Sequence, residues 1–219
     1  TVTAVNDAPA VTTTGTTLAY TENGAATAVD GGLTISDVDS ANLASATITI
    51  SSGFATGQDT LAFTNQNGIS GSWNAGTGML TLTGSATVAQ YQAALRSITY
   101  VNASDNPSTA TRTVSFVVND GSANSSTGTC NISVAAVNDA PVITSNGGGA
   151  TAAVNVAENQ TTVTTVTSSD VDGSIAVYSI TGGADAALFS INASTGALTF
   201  ISGRNYEAPT DVGADNVYD

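Results

Sequence analysis

The residues of this chain most able to do chemistry are its carboxylates, and their spacing recurs. Asp37 and Asp39 stand two apart in Ile35-Ser36-Asp37-Val38-Asp39, and Asp170 and Asp172 do the same in Ser168-Ser169-Asp170-Val171-Asp172. Glu22-Asn23 precedes the first pair and Glu158-Asn159 the second. Further upstream, Asn6-Asp7 and Asn138-Asp139 lie inside two identical strings, Val5–Pro9 and Val137–Pro141. Carboxylates at i and i+2 can chelate from one loop, and Asn side chains and main-chain carbonyls add oxygens. Ca²⁺, a hard cation that takes six to eight oxygen ligands, suits such a set. Counter-charge is scarce: 17 acidic residues face three basic ones, there is no His, and the net charge is −14. Without a cation, each close acid pair costs on the order of 1 kcal/mol even at the dielectric constant of water. The alternative is an acidic, solvated surface with no specific metal. The recurrence of three motifs in one order favours Ca²⁺.

The same composition excludes other chemistry. Arg96, Arg112 and Arg204 are the whole basic complement, so no patch exists to neutralise a nucleic-acid backbone or an anionic membrane. The absence of His and the lone Cys130 remove His-based triads and the usual Zn sites. Cys130 alternates with Ile132 and Val134, which predicts a thiol facing a strand core rather than a reactive one. Two carboxylates can hydrolyse a glycoside, but these acids cluster at domain ends, and aromatic residues are only 5%. No enzyme is expected. Trp73, the single Trp, is either a sugar-stacking platform or, as we favour, a side chain packed at a strand start. The corresponding rivals for the whole chain are a carbohydrate-binding module and a purely structural filament or surface-layer subunit.

The elements that must position the acids read as strands. Ala46, Ile48 and Ile50 alternate with Thr47 and Thr49, and Val114, Phe116 and Val118 alternate with Thr113, Ser115 and Val117. Met79–Thr83 and Ala197–Ile201 each follow a Gly-bearing turn. Many short strands between Gly, Asn and Ser turns predict a β-sandwich. One segment departs: Val88, Tyr91, Leu95 and Ile98 have helical spacing, and Thr87 with Gln90 makes a capping box. The ordered motif repeats predict two units joined at Val-Asn-Asp-Ala-Pro, a short linker stiffened by Pro. We place the end of a preceding strand and a linker at 1–8, repeat 1 at 9–136, the linker at 137–141 and repeat 2 at 142–219. Repeat 2 reads as incomplete at its C-terminus, the chain as a window from a longer protein, and strand donation by another subunit as one way to complete it.

Taken in order, Glu-Asn, Asp-x-Asp, Val118-Asn119-Asp120-Gly121 and the Asn-Asp-Ala-Pro linker resemble the cadherin repeat, in particular the bacterial cadherin-like modules of large RTX-type surface adhesins. The resemblance covers nearly the whole chain. It implies tandem seven-stranded Greek-key sandwiches, immunoglobulin-like in architecture, with Ca²⁺ between successive repeats. Carried onto this sequence, it assigns Glu22, Asn138, Asp139, Asp170 and Asp172 to the central junction. It assigns Asn6, Asp7, Asp37, Asp39 and Asp120 to the N-terminal end, and Glu158 and Glu207, the latter in Asn205-Tyr206-Glu207, to the C-terminal end. The departures are a linker one residue short and the absence of a clear Asp-x-Glu in repeat 1. There, Leu82–Thr113 more closely resembles a chondroitin-sulfate-proteoglycan-type repeat, and Asp105 stands as a substitute ligand. The resemblance further implies an extracellular or cell-surface, secreted bacterial protein that acts as an adhesin stalk or cell-adhesion spacer. Its expected partners are neighbouring repeats, with homotypic assembly or a cell-surface glycan beyond them, and no membrane insertion in this segment.

Overall fold

The computed structural model describes residues 1–219, which form two compact units, Thr1–Val137 and Asn138–Asp219. In chain order, unit 1 carries β1 (Ala10–Thr12), β2 (Thr17–Thr21), β3 (Thr27–Ala28), β4 (Thr34–Ser36), β5 (Asn42–Ser52), β6 (Asp59–Ala62), β7 (Ser70–Asn74), β8 (Met79–Thr87), α1 (Val88–Arg96), β9 (Thr99–Asn102), β10 (Arg112–Asn119) and β11 (Gly128–Ala135). Unit 2 carries β12 (Val142–Ile143), β13 (Thr162–Thr165), β14 (Ser168–Ser169), β15 (Phe189–Ile191) and β16 (Ala197–Phe200), with two single-turn 3₁₀ segments. The chain is all-β apart from one α-helix, as its periodicity predicts. Unit 1 has more strands than the seven that the resemblance implies, several of them only two or three residues long.

Unit 1 is a sandwich. Its larger sheet runs β2-β11-β10-β5-β8-β7, its smaller sheet runs β3-β9-β6, and β1 pairs with β4 apart from both. Period-2 alternation puts Val114, Phe116 and Val118 of β10 and Ile48 and Ile50 of β5 on one inner face, each nearly or fully removed from solvent. They share a core with Leu61 of β6 and Tyr100 of β9. Tyr20 of β2 meets Tyr100 edge-on at 5.0 Å, which ties the two sheets together. Each buried aliphatic side chain of this kind contributes about 1.5–3 kcal/mol. Every pairing in the two main sheets is antiparallel except that of β2 with β11, the last strand of the unit, which is parallel.

Helix α1 begins as its sequence predicts. Gln90 donates its amide to Thr87 Oγ1 at 3.2 Å, and Thr87 donates its amide to Gln90 Oε1 at 2.9 Å. Tyr91, Ala94 and Leu95 are its buried face. The polar residues of the helix fasten the strand that leads to the first acid pair: Arg96 Nε donates to the Leu33 carbonyl at 2.7 Å, and Ile35 donates its amide to Gln92 Oε1 at 3.0 Å.

Unit 2 repeats the opening of unit 1. Strand β12 pairs antiparallel with β14 through Val142 and Ser169, as β1 pairs with β4 through Ala10 and Ser36. A second sheet runs β13-β16-β15. Phe189 and Phe200 stack at 4.8 Å within it, and Phe200 is the one buried hydrophobic residue of the unit.

Candidate functional site

The acid pairs sit where β4 and β14 end, and each is closed by the linker that precedes its unit. In unit 1, Asp7 donates its amide to Asp39 Oδ2 at 3.0 Å. Asp39 donates its amide to Asp37 Oδ1 at 3.1 Å, and Ser40 donates to the same oxygen at 2.9 Å. In unit 2, Asp139 donates its amide to Asp172 Oδ2 at 2.6 Å, and Asp172 donates its own to Asp170 Oδ1 at 2.9 Å. The linker Asn is also used identically: Asn6 Nδ2 donates to the Asp7 carbonyl at 3.0 Å, and Asn138 Nδ2 to the Asp139 carbonyl at 2.6 Å. The i, i+2 spacing is what permits this, because one carboxylate can then accept the amide of the next acid while that acid reaches the linker.

The two sites differ in their fifth member. In unit 1, Asn6 Nδ2 also donates to Asp120 Oδ2 at 2.9 Å. Asp120 Oδ1 accepts the amides of Ser122 and Ala123, both at 2.7 Å. The Ala123 amide, then Asn6 and the Ser122 amide, hold the Asp120 carboxyl below the ordinary carboxylate value. In unit 2, Ser174 Oγ donates to Asn138 Oδ1 at 3.2 Å instead. The five residues assigned to the N-terminal end, Asn6, Asp7, Asp37, Asp39 and Asp120, are thus joined in one network, as are Asn138, Asp139, Asp170 and Asp172 of unit 2.

Glu22 lies at the far end of β2. Its amide donates to the Ala135 carbonyl at 3.0 Å, and the residue is 7% exposed. Its Oε2 has no hydrogen-bond partner, and neither do the solvent-shielded Asp37 Oδ2 and Asp170 Oδ2. Buried carboxylate oxygens without donors are costly, and all three belong to the motif acids. Asp105 is brought to the same end of unit 1, where its Oδ1 accepts from Asn23 Nδ2 at 2.8 Å. In unit 2, Glu158 Oε2 accepts the Tyr206 amide at 3.3 Å, and Asn159 donates its amide to the Arg204 carbonyl at 2.7 Å. The Asn205-Tyr206-Glu207 element therefore returns to Glu158. No three acidic side chains converge closely enough to hold a metal by themselves.

The Asn of each Glu-Asn motif has a backbone role that the sequence reading did not assign. Asn23 and Asn159 adopt φ of 55° and 61°, in the left-handed region that Asn tolerates better than most residues. The second Asn-Asp element, Asn119-Asp120, serves a turn in the same way: Gly121, at φ 103°, donates its amide to Asn119 Oδ1 at 2.7 Å.

A buried ion pair in unit 1 also escaped the sequence reading. Arg112 Nε lies 3.2 Å from Asp59 Oδ2, with both side chains fully buried. Asp59 Oδ1 also accepts from Tyr100 Oη at 2.6 Å and Asn102 Nδ2 at 2.7 Å, and Oδ2 accepts the Ala55 amide at 2.7 Å. Burial pushes the Asp59 carboxyl up, but these donors outweigh it and hold it below the ordinary value. Arg112 Nη1 donates to the carbonyls of Ser108 and Ala110, pinning the loop that carries Asp105. An isolated Arg in an alternating strand gives no signal of this; only its burial among Val114 and Phe116 does.

Cys130 is 3% exposed on β11. Burial, then the charge of Asp30, pushes its thiol up to about 12. Trp73 is half-buried, packs on the core and meets Phe54 edge-on at 6.2 Å. No helix is long and apolar enough to cross a membrane.

No protein-family profile matches the chain. Halomucin of Haloquadratum walsbyi is 36% identical over 111 residues, which are 48% of this chain and 1% of that protein. Among solved structures, protocadherin gamma B2 extracellular cadherin domains 1–5 align with 93% of this chain and 35% of that chain, at 18% identity and a TM-score of 0.48. The protocadherin gamma B4 extracellular domain aligns with 91% of this chain and 28% of that chain, at 16% identity and a TM-score of 0.38. The chain thus spans a small part of halomucin and about a third of these structures.

Proposed function

We propose that this chain is a Ca²⁺-binding tandem repeat module of an extracellular or cell-surface protein, serving as a spacer or adhesin stalk. One observation carries the reading: the same linker-to-acid-pair network is built twice, and each copy leaves a shielded carboxylate oxygen unpartnered, on Asp37 and on Asp170. A surface acidic only for solubility has no reason to gather its acids, repeat their bonding and withhold donors from them. The available ligands are all oxygens, with no His or paired thiol, and so they suit a hard cation. The acid pairs with Asn6, Asp7 and Asp120, and with Asn138 and Asp139, would hold Ca²⁺ from one side of each junction. The resemblance to cadherin repeats assigns Glu22, Glu158 and Glu207 to the other side. The bound ion would neutralise the clustered acids and couple one repeat to the next.

The affinity expected of an extracellular module is roughly 0.1–1 mM. At about 100-fold excess over the dissociation constant, one site adds about 2.7 kcal/mol. Differential scanning calorimetry of the 219-residue chain in EDTA and in millimolar Ca²⁺ is the test. A rise of several degrees in Ca²⁺, and not in equimolar Mg²⁺, supports the reading, whereas superimposed transitions exclude it. Small-angle scattering in the same two buffers reads the coupling of the units, and a maximum dimension independent of Ca²⁺ would mean that the ion does not crosslink them.

A further inference from the structure

Two arms leave one buried carboxylate of unit 1 and end on the same turn. Asp59 is 3% exposed. On the first arm its Oδ1 accepts the Tyr100 hydroxyl, Tyr100 meets Tyr20 edge-on, and the Tyr20 hydroxyl donates to the Gly24 carbonyl. On the second arm, Arg112 holds Asp59 through Nε and Nη2 and reaches the Ser108 and Ala110 carbonyls with Nη1. Those carbonyls belong to the loop between β9 and β10, in which Pro107 is the one buried residue. Apolar burial therefore cannot order this loop, and the polar network does it instead. Asn102, a donor to Asp59, fixes the other end of the loop by accepting the Ser104 amide at 3.1 Å. Asp105 then meets Asn23, whose Nδ2 donates to its Oδ1 at 2.8 Å. A buried ion pair is weak as a source of stability, but a guanidinium with donors on two edges fixes position and direction.

What the two arms hold is the turn Glu22-Asn23-Gly24. Glu22 is 7% exposed, and its Oε2 is shielded from solvent without a donor. A buried carboxylate oxygen that no N–H or O–H serves is a place for a cation. Asp105 is exposed and spends Oδ1 on Asn23, which leaves its Oδ2 for a ligand. The two carboxylates thus flank Asn23, one adjacent in sequence and one bonded to its side chain. We propose that Glu22 and Asp105 hold one Ca²⁺ at this turn of unit 1, with water completing the coordination, and that Arg112, braced on Asp59, is the positioning residue that brings Asp105 to it. The inference rests on the Ca²⁺ reading above. It gives the buried pair a purpose other than stability: the strand that begins at Arg112 sets where a distant loop presents its acid.

The test is a Ca²⁺ titration of the isotope-labelled 219-residue chain, read by NMR at two places in unit 1. The amides of residues 22–24 and 104–106, with the Asn23 side-chain amide, report the proposed site, and those of Asp39 and Ser40 report the acid pair. Both sets should shift saturably. Asp105→Asn keeps an acceptor for Asn23 and removes the charge. It should raise the Ca²⁺ midpoint at residues 22–24 about tenfold and leave that at Asp39 and Ser40 unchanged. Arg112→Lys keeps a charge opposite Asp59 but not the fork that also reaches two carbonyls. It should raise the same midpoint about tenfold, with no further rise when combined with Asp105→Asn, an outcome that a merely structural Arg112 would not produce. Should Arg112→Lys lose the wild-type fold, Asp59→Leu with Arg112→Met carries the same expectation. A midpoint at residues 22–24 that either Asp105→Asn or the folded core variant leaves unmoved overturns the proposal. Silent amides at 22–24 beside titrating ones at Asp39 and Ser40 overturn it too and leave the Ca²⁺ reading standing, whereas silence at both places removes that reading as well.

Discussion

Asp139 donates its main-chain amide to Asp172 Oδ2 at 2.6 Å, so the linker of unit 2 is latched onto the acid pair of that unit through backbone rather than through charge. Asp7 latches onto Asp39 in the same way. Because the donor is an N–H, an Asn at the acceptor position can still receive it, and this separates the latch from the charge.

Asp170→Asn with Asp172→Asn therefore keeps the shape and removes two negative charges. In EDTA the double variant should equal wild type or exceed it in stability, because repulsion of about 1 kcal/mol per close pair is relieved. In millimolar Ca²⁺ it should fall below wild type by up to about 2.7 kcal/mol. Urea midpoints across a Ca²⁺ titration would show the two curves crossing, and parallel curves would leave the acids as plain surface charge. Asp215→Asn is the control. Asp185→Asn is not suitable, since Asp185 is 3% exposed and its carboxylate accepts the Val212 and Asp219 amides.

The Asp59–Arg112 pair should be worth more broken than replaced. Asp59→Asn strands a buried guanidinium and Arg112→Met a buried carboxylate, and each should cost about 3–5 kcal/mol in urea unfolding of unit 1. Asp59→Leu combined with Arg112→Met removes both charges and should recover most of that loss. Additive losses in the double variant would argue that the pair is not a coupled unit.

Unit 1 should lose stability in acid through named carboxylates. Asp59 and Asp120 both titrate below the ordinary 3.8 when folded. A depressed folded value means a contribution fully present above the unfolded value and lost as pH falls through the folded one. Urea midpoints should thus hold steady from pH 6 to about 4.5 and decline below about pH 4. The decline should be shallower in Asp120→Asn. A midpoint that stays flat to pH 2 would contradict this assignment.

Cys130 should be inert in the native state. With its thiol pushed up to about 12 and no solvent path, almost no thiolate forms at pH 8. Labelling by a disulfide reagent should proceed only at the rate of unfolding and should accelerate with urea. Fast stoichiometric labelling in native buffer would place the thiol at the surface.

The motifs legible in the sequence are those whose signal is local. Alternation in β10 and β5 follows from the two-residue pleat, so Val114, Phe116 and Val118 could be assigned to an inner face without knowing what they face. The capping box of α1 is complete within four residues. The i, i+2 acids, and the linker that precedes them, recur in order, and recurrence is visible in one dimension. What stayed hidden depends on chain segments meeting after long separations. Asp59 and Arg112 carry no pattern, and only the closing of the two sheets over each other makes them partners. Asn23 and Asn159 read as polar neighbours of a Glu until the turn geometry reveals a positive φ.

The sequence by itself therefore determined the all-β class and the one helix, because side-chain period and capping are properties of neighbouring residues. Tertiary structure alone decided which oxygens are spent on backbone amides and which are left shielded without a donor. It also decided that Asn205-Tyr206-Glu207 returns to Glu158. Those outcomes depend on burial and on hydrogen bonds between distant segments, and each is settled only when the chain closes on itself.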